Sequence, residues 1–470
     1  MTNTGGGSAF TEHLSPEISK STLELSMKNS YKLVFAAMLA ASLVGCGKEE
    51  PKVEPAKPAA PAEPTVVVKI AHAGPLTKKT PHLGKDDENG VALAVDQTNA
   101  KKIKIDGKVL KLEMISKDDE GDAKVGTTIA QQLVDAKVAA VIGHLNSGVS
   151  IPASEIYDKA GIPMISGSAT NPTLTERGLK TVFRTVGRDD QQGPAIAAYI
   201  ASELKGKKVA IAHDKTAYGE GLAKEVEKTL KAAKVSIVAN EQTTDTETDF
   251  KAILTKIKAK NPDVVFYGGM DQTGGPMLKQ ARELGIKATF TFGDGACTNE
   301  MFKLAGDAAA NGLVCSQAGL PASAATKEFT DGFKTKFKTD VLQYAPYFYD
   351  ATLAVVEAMK LANSADPAKF APELFKVSFT GATGKVEFDA KGDRKDAEIT
   401  IFLGKDGKID PVSIIKNGVA TKFEAAAAPA PAAAAPAAAP AAAPAAAPAA
   451  APAPPAPASA PAKAAEAPKK

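Results

Sequence analysis

The chain has 470 residues, with 57 Lys and Arg against 54 Asp and Glu, a formal net charge of +3, no Trp and three Cys. So balanced a charge, with no basic block and no interleaving of aromatic and basic residues, argues against a nucleic-acid partner. The length exceeds one ordinary domain, but the two ends differ in composition from the middle, so the globular body is shorter than the chain.

Residues 1–26 fit no export signal and are expected to be an upstream extension that is not translated, with Met27 as the start. Met27-Lys28-Asn29-Ser30-Tyr31-Lys32 is a short basic opening, and the apolar run Leu33–Val44 that follows is too short to span a bilayer as a mature helix. Residues 27–45 therefore read as a signal peptide. It closes on Leu43-Val44-Gly45-Cys46, which resembles the bacterial lipobox, so Cys46 is expected to be acylated and to anchor the protein to a membrane facing the periplasm. Residues 46–65 carry Pro51, Pro55, Pro58, Pro61 and Pro64 among Lys, Glu and Ala, the composition of a semi-rigid linker. Beyond Cys46 only Cys297 and Cys315 remain. In an oxidising compartment such a pair is either a disulfide or two separate buried thiols, and the disulfide is the expectation.

The body alternates apolar strands with amphipathic helices. Strands are expected at 66–73, 109–116, 138–142 and 162–166, with helices over 88–100, 122–136 and 152–159. After Gly187 the order recurs: helix 192–204, strand 207–213, helix 219–233, strand 235–239, helix 248–259, strand 263–269, helix 273–284, strand 288–293, then a short helix at 299–304. Two such series are the pattern of right-handed parallel crossovers and imply an α/β fold of two doubly wound lobes. Helices at 326–338 and 351–362 and short strands at 384–388 and 398–403 suggest that the chain then returns to the first lobe. The expected division is 66–187 plus about 318–396 for lobe 1 and 188–317 plus about 397–423 for lobe 2, with a hinge and a cleft between them. From Glu424 onward the chain is almost wholly Ala and Pro; Pro436, Pro440, Pro444, Pro448 and Pro452 each remove an amide that a helical turn needs, so residues 424–470 read as a disordered tail.

Enzyme signatures are absent. The five histidines at 13, 72, 82, 144 and 213 have no metal-ligand spacing, no nucleophile elbow or phosphate loop appears, and no metal or cofactor is expected. His144 and His213 each follow a strand and read as structural. Tyr218-Gly219-Glu220-Gly221 reads as a helix start, and the acidic runs Asp86-Asp87-Glu88 and Asp118-Asp119 read as solvated loop residues. The strand ends are richer. Asn146, Ser147 and Gly148 follow one buried strand, and Ser166, Ser168 and Thr170 follow the next, where ligands sit in doubly wound folds. Ser147, placed ahead of a helix over 152–159, and Thr170 could hold an anion through hydroxyls and free amides, or could simply cap helices.

Five stretches carry a resemblance: GHLNSGVSIPASEIY, GIPMISGSATNPTLTERG, FRTVGRDDQQGPAIAAYI, HDKTAYGEGLA and FYGGMDQTGGPMLKQARELG. In this order they resemble the leucine/isoleucine/valine-binding proteins, the type I two-lobed receptors of ATP-driven importers. The resemblance covers nearly all of residues 66–423. It implies a monomeric lipoprotein that closes on a free amino acid (leucine, isoleucine, valine or another aliphatic one) and delivers it to an ABC permease and its ATPase. It implies that Ser147 and Thr170 hold the ligand carboxylate, and that the Ser168 carbonyl in the segment Ser168-Ala169-Thr170, with Tyr218 and Asp294, surrounds the ammonium. Asn146, Met270 and Tyr344 fall at the side-chain pocket. Several positions depart from the family pattern. Asp294 stands where leucine binders commonly have the longer Glu, Met270 where a Tyr is common, and Asn146 where a half-cystine is common; the loop Leu76–Leu83 is longer and more basic. Other readings of the chain are the same fold serving another amino acid, an amide or a sensor, or a structural envelope lipoprotein.

Overall fold

The computed structural model describes residues 63–424. The expectations for residues 1–62, acylation of Cys46 among them, and for residues 425–470 lie outside the described residues.

The first lobe is laid down as β1 (Thr65–Gly74), α1 (Pro81–Ala100), β2 (Lys104–Ile105), β3 (Lys108–Asp118), α2 (Ala123–Asp135), β4 (Ala140–Gly143), α3 (Ser147–Lys159), β5 (Met164–Ser166), α4 (Thr173–Glu176) and β6 (Val182–Arg184). Its sheet has the order β2-β3-β1-β4-β5-β6, parallel except for β2. The second lobe runs α5 (Asp189–Ser202), β7 (Lys208–His213), α6 (Ala217–Ala232), β8 (Ser236–Gln242), α7 (Lys251–Ala259), β9 (Val264–Gly268), α8 (Asp271–Glu283), β10 (Thr289–Phe292), α9 (Glu300–Ala305), α10 (Asp307–Ala310) and β11 (Val314–Gln317). Then α11 (Lys327–Phe337), α12 (Ala345–Ala362), α13 (Pro367–Phe370) and the hairpin β12 (Ser378–Gly381) to β13 (Gly384–Glu387) return to the first lobe, where α12 packs on α1 and beside β4 and β5. Last come β14 (Ile399–Lys405), β15 (Lys408–Lys416) and β16 (Val419–Lys422), which extend the second sheet antiparallel to β11, in the order β16-β15-β14-β11-β10-β9-β7-β8.

Helices on both faces explain why every residue of β4, β5, β9 and β11 is buried, and why these strands read as unbroken apolar runs. The crossovers are capped locally: the Asp122 side chain accepts from the amides of Lys124 and Val125 at the start of α2, and Thr216 accepts from Gly219 at the start of α6. In each sheet the strand order reverses beside an early strand, β1 in the first and β7 in the second. The carboxyl ends around these two points face the cleft. Cys297 and Cys315 are joined as a disulfide with their Cα atoms 5.4 Å apart.

The chain passes between the lobes at residues 185–188, 318–326 and 388–398, and a buried charge network ties two of these passages together. Arg184 donates to Asp393 at 2.7 Å and to the carbonyls of Ala169 and Asn171 at 2.6 and 3.0 Å. Arg188 grips the other Asp393 oxygen at 2.7 Å, and Arg394 donates to the Thr185 carbonyl at 2.9 Å. Buried ions are tolerable only when paired and hydrogen-bonded on all sides, as these are.

Several expectations are corrected. Helix α3 begins at Ser147 with Asn146 as its N-cap, not at Pro152; the proline lies inside it and forgoes one intrahelical bond. Helix α1 starts at Pro81 rather than 88, and α12 at Ala345 rather than 351, each with a proline in its first turn, where the missing amide has no helical partner to lose. The acidic runs are solvated only in part, with Glu88 and Asp118 half-buried. Asp86, Asp87 and Asp119 are buried. Asp86 accepts four backbone amides, from Leu342, Gln343, Tyr344 and Ala345 at 2.9–3.1 Å, and so caps the amino end of α12 from α1. Asp119 pairs with His144 Nδ1 at 2.6 Å.

Candidate functional site

The loops after β4 and β5 are stitched to each other before they meet anything else. Ser166 Oγ donates to the His144 carbonyl at 2.7 Å and accepts from the Ala169 amide at 2.9 Å. Ser168 Oγ donates to the Leu145 carbonyl at 2.9 Å, and Ser147 Oγ accepts from the Asn171 amide at 3.3 Å. His144 is a buried prop for this loop, held by Asp119 and by Tyr157 Oη at 3.1 Å. Thr170 caps nothing. Its buried Oγ1 leans on the Asp189 carboxyl without reaching hydrogen-bond geometry. Asn146 Oδ1 is likewise buried without a partner.

From the second lobe, the residues after β7, β9 and β10 converge. Tyr218 lies in the first turn of α6, Met270 is the N-cap of α8, and Asp294 opens a single 3-10 turn after β10. Asp294 is buried and makes contacts on every side. Its Oδ1 accepts from Tyr218 Oη at 2.8 Å and from Gln192 Nε2 at 3.0 Å, and its Oδ2 accepts from Tyr344 Oη at 2.6 Å. Tyr344 belongs to the first lobe, so this carboxylate bridges the cleft. All three side-chain partners are neutral. Burial raises the Asp294 pKa, and the hydrogen bonds from Tyr344, Gln192 and Tyr218 only partly oppose it. Burial, then the Asp294 charge, drives both tyrosines well above their ordinary range, so they act as neutral donors. Because desolvation disfavours this carboxylate, a cation brought against it would favour its ionised form.

Leu145, Asn146, Ser147 and Ser168 from one lobe and Tyr218, Met270, Asp294 and Gly295 from the other, with Tyr344, line a cavity of about 20 Å³, room for roughly one water. It shares Asn146, Tyr218 and Met270 with an adjoining cavity of about 250 Å³ that Lys79, Val149, Ala217, Asp245 and Gln272 also line. A molecule larger than water therefore fits the smaller cavity only when the lobes part. The structure brings together seven of the nine ligand-binding residues expected from sequence. Ala169 and Thr170 stand behind the cavity wall, and the Ala169 carbonyl is taken by Arg184. A separate cavity of about 820 Å³ lies between α5 and β14–β16 and gathers no polar groups from the first lobe.

Gln192 and Gln343 were missed. Gln192 Oε1 accepts from the Asp294 amide at 3.1 Å and from Ser316 Oγ at 2.9 Å, and Gln343 Nε2 donates to the Asp294 carbonyl at 3.0 Å. The signal for Gln192 was present in the stretch FRTVGRDDQQGPAIAAYI, but the residue reads there as an ordinary first-turn glutamine.

Residues 67–408 match the periplasmic binding protein family. The chain belongs to that family. Membership implies a periplasmic location, in a family of binding proteins and not of enzymes. A leucine-, isoleucine-, valine-, threonine- and alanine-binding protein of Pseudomonas aeruginosa is 34% identical over 335 residues, covering 71% of this chain and 89% of its own length. Among solved structures, a leucine binding protein from Thermotoga maritima superimposes with a TM-score of 0.70 at 26% identity, over 74% of this chain and 99% of that one. The branched-chain amino acid transporter substrate binding protein LivJ from Streptococcus pneumoniae, in complex with isoleucine, gives 0.68 at 29% identity, over 75% and 100%. This periplasmic binding protein thus shares with them the type I architecture of two lobes, a hinge and an interlobe cleft.

Proposed function

We propose that this protein is the receptor of an ATP-driven importer and that it closes on a free aliphatic α-amino acid, the leucine, isoleucine and valine class that its relatives' names record. The observation that carries the reading is the buried Asp294 carboxylate, held between Tyr218 of one lobe and Tyr344 of the other. A zwitterion taken out of water needs an acid and carbonyls at its ammonium end and donors at its carboxylate end. Asp294, Tyr218 and the Ser168 carbonyl serve the first. The Ser147 hydroxyl serves the second, joined by the unpartnered Thr170 hydroxyl when the wall in front of it gives way to the ligand; α3 begins at Ser147, so its free first-turn amides and dipole add to the attraction for an anion. Asn146, Met270 and Tyr344 border the ligand's side chain, which has the 250 Å³ chamber beside it.

In this reading the ligated protein is a monomer that presents its closed lobes to a permease and ATPase pair. Acylated Cys46 anchors it, with residues 46–65 as spacer. Lobe 1 comprises 66–187 and about 318–396, and lobe 2 comprises 188–317 and about 397–423. Calorimetric titration of the purified protein with each common amino acid tests the proposal. Saturable binding of leucine, isoleucine or valine is expected; absence of binding by every amino acid contradicts it.

A further inference from the structure

The basic segment 76–83, a loop that runs into the first turn of α1, is rooted in the first lobe. Its Leu76 amide donates to Asp118 Oδ1 at 2.9 Å, Thr77 bonds the same carboxylate, and Lys78 pairs with Glu120. From that root two side chains cross to the second lobe. Lys79 Nζ bonds the Gly121 carbonyl at 3.0 Å on its own side and Asp245 Oδ2 at 2.7 Å on the other, beyond β8. His82 Nε2 meets Asp271 Oδ2 at 2.8 Å. Asp271 is the buried first residue of α8, directly after the cleft residue Met270, and its Oδ2 also accepts from Thr298 Oγ1 at 2.6 Å. Lys79 and Asp245 line the 250 Å³ chamber beside the ligand site, so this segment walls the cleft mouth.

We propose that Leu76–Leu83 is a strap that holds the closed lobes together, with His82 as a positioning residue whose proton fastens it to Asp271. Separation of the lobes must break both crossing contacts, so whatever they contribute to closure is added to ligand affinity. The Lys79 pair is about three-quarters shielded at both partners. The His82 contact depends on whether the ring carries its second proton. Asp271 stands at the amino end of α8, and a protonated ring donates to its carboxyl group more strongly than a neutral one. The charged groups facing His82 are Asp271 from α8 and Glu300 and Lys303 from α9. Burial pushes the imidazole down, but the Asp271 hydrogen bond and charge, aided by Glu300 against Lys303, outweigh this, and its pKa stands above the ordinary value.

The sign follows from that direction. With the lobes apart His82 regains an ordinary imidazole pKa of about 6.5, and closure raises it. Closure therefore takes up a proton. The clasp is fully fastened below about pH 6.5 and is lost as pH rises through the raised value. Each unit by which closure raises the pKa makes the closed form about tenfold more favourable at low pH than at high pH. His72 is buried and its pKa is pushed down to about 4, so it does not titrate in this window.

The strap shares its cleft with the proposed amino-acid site and depends on that reading only for its effect on ligand affinity. Histidine-ring NMR of the full chain, with and without L-leucine, tests it, using His82→Gln to identify the His82 signal. His82 should titrate above the ordinary value, Asp271→Asn should lower it, and leucine affinity should tighten several-fold between about pH 8 and pH 6 in wild type but not in His82→Gln. Calorimetry in buffers of different ionisation enthalpy should record proton uptake that disappears in His82→Gln. An ordinary His82 pKa that Asp271→Asn does not move, with or without leucine, overturns the strap even if leucine binds well. Should leucine not bind at all, the receptor reading suffers, while the His82 titration still decides for or against the clasp.

Discussion

The two faces of the cleft are built on opposite plans. On the first lobe, Ser147, Ser166 and Ser168 are neutral, short and bonded to the backbone of one another's loops. On the second, Tyr218 and Gln192 reach across separate elements to converge on a single carboxylate, Asp294. The first face is a rigid set of dipoles and the second a supported charge. The contrast teaches how a binding fold can be selective: in the proposed reading each face complements one end of a zwitterion, and only closure presents both at once.

The contrast breaks most sharply at Asp294. Asp294→Asn keeps the shape and removes the charge, so amino-acid affinity should fall by about 2–5 kcal/mol while the melting temperature of the ligand-free protein hardly changes. A variant that melts early yet binds normally would make Asp294 a structural turn residue. Asp86 should behave in the opposite way. It too is a buried carboxylate raised in pKa by burial, but its partners are four backbone amides leading into α12. Asp86→Ala strands those donors and should cost about 3 kcal/mol of unfolding free energy in urea titration, whatever the ligand. An unchanged midpoint would show that water replaces the cap.

Thr170 offers the smallest effect and the finest discrimination. Thr170→Val removes a buried hydroxyl that has no hydrogen-bond partner, so ligand-free stability should hold or rise slightly. Affinity should fall by about 1.5–3 kcal/mol if the hydroxyl donates to the ligand carboxylate. Affinity that survives intact for every ligand would leave the carboxylate to Ser147 and the α3 amides.

The alternation of strand and helix was legible because buried parallel strands leave apolar runs and crossover helices leave period-3.6 patterns. Ser147 was legible because it follows a strand end, that of β4, whereas Tyr218 after β7 and Asp294 after β10 were marked only by the family resemblance. What the sequence hid were partnerships made far along the chain. Asp86 is satisfied by amides some 256 residues away, and nothing near it distinguishes it from a solvated acid. Pro152 read as a helix start because a proline there usually is one; here Asn146 and Ser147 begin the helix more than a turn earlier. Gln343 became visible only when folding put it against Asp294, and Gln192, though inside a family-like stretch, took its role only there.

The central claim is that the cleft recognises both ends of a free amino acid at once. Titrating the protein with L-leucine, with 4-methylpentanoate, which lacks the ammonium, and with 3-methylbutylamine, which lacks the carboxylate, tests this most directly. Leucine should bind, and each truncated analogue should lose most of the affinity, the acid because Asp294 gains nothing from it and the amine because Ser147 and Thr170 do not. If either analogue binds as tightly as leucine, that end of the ligand is not read, and the assignment of the corresponding face is wrong.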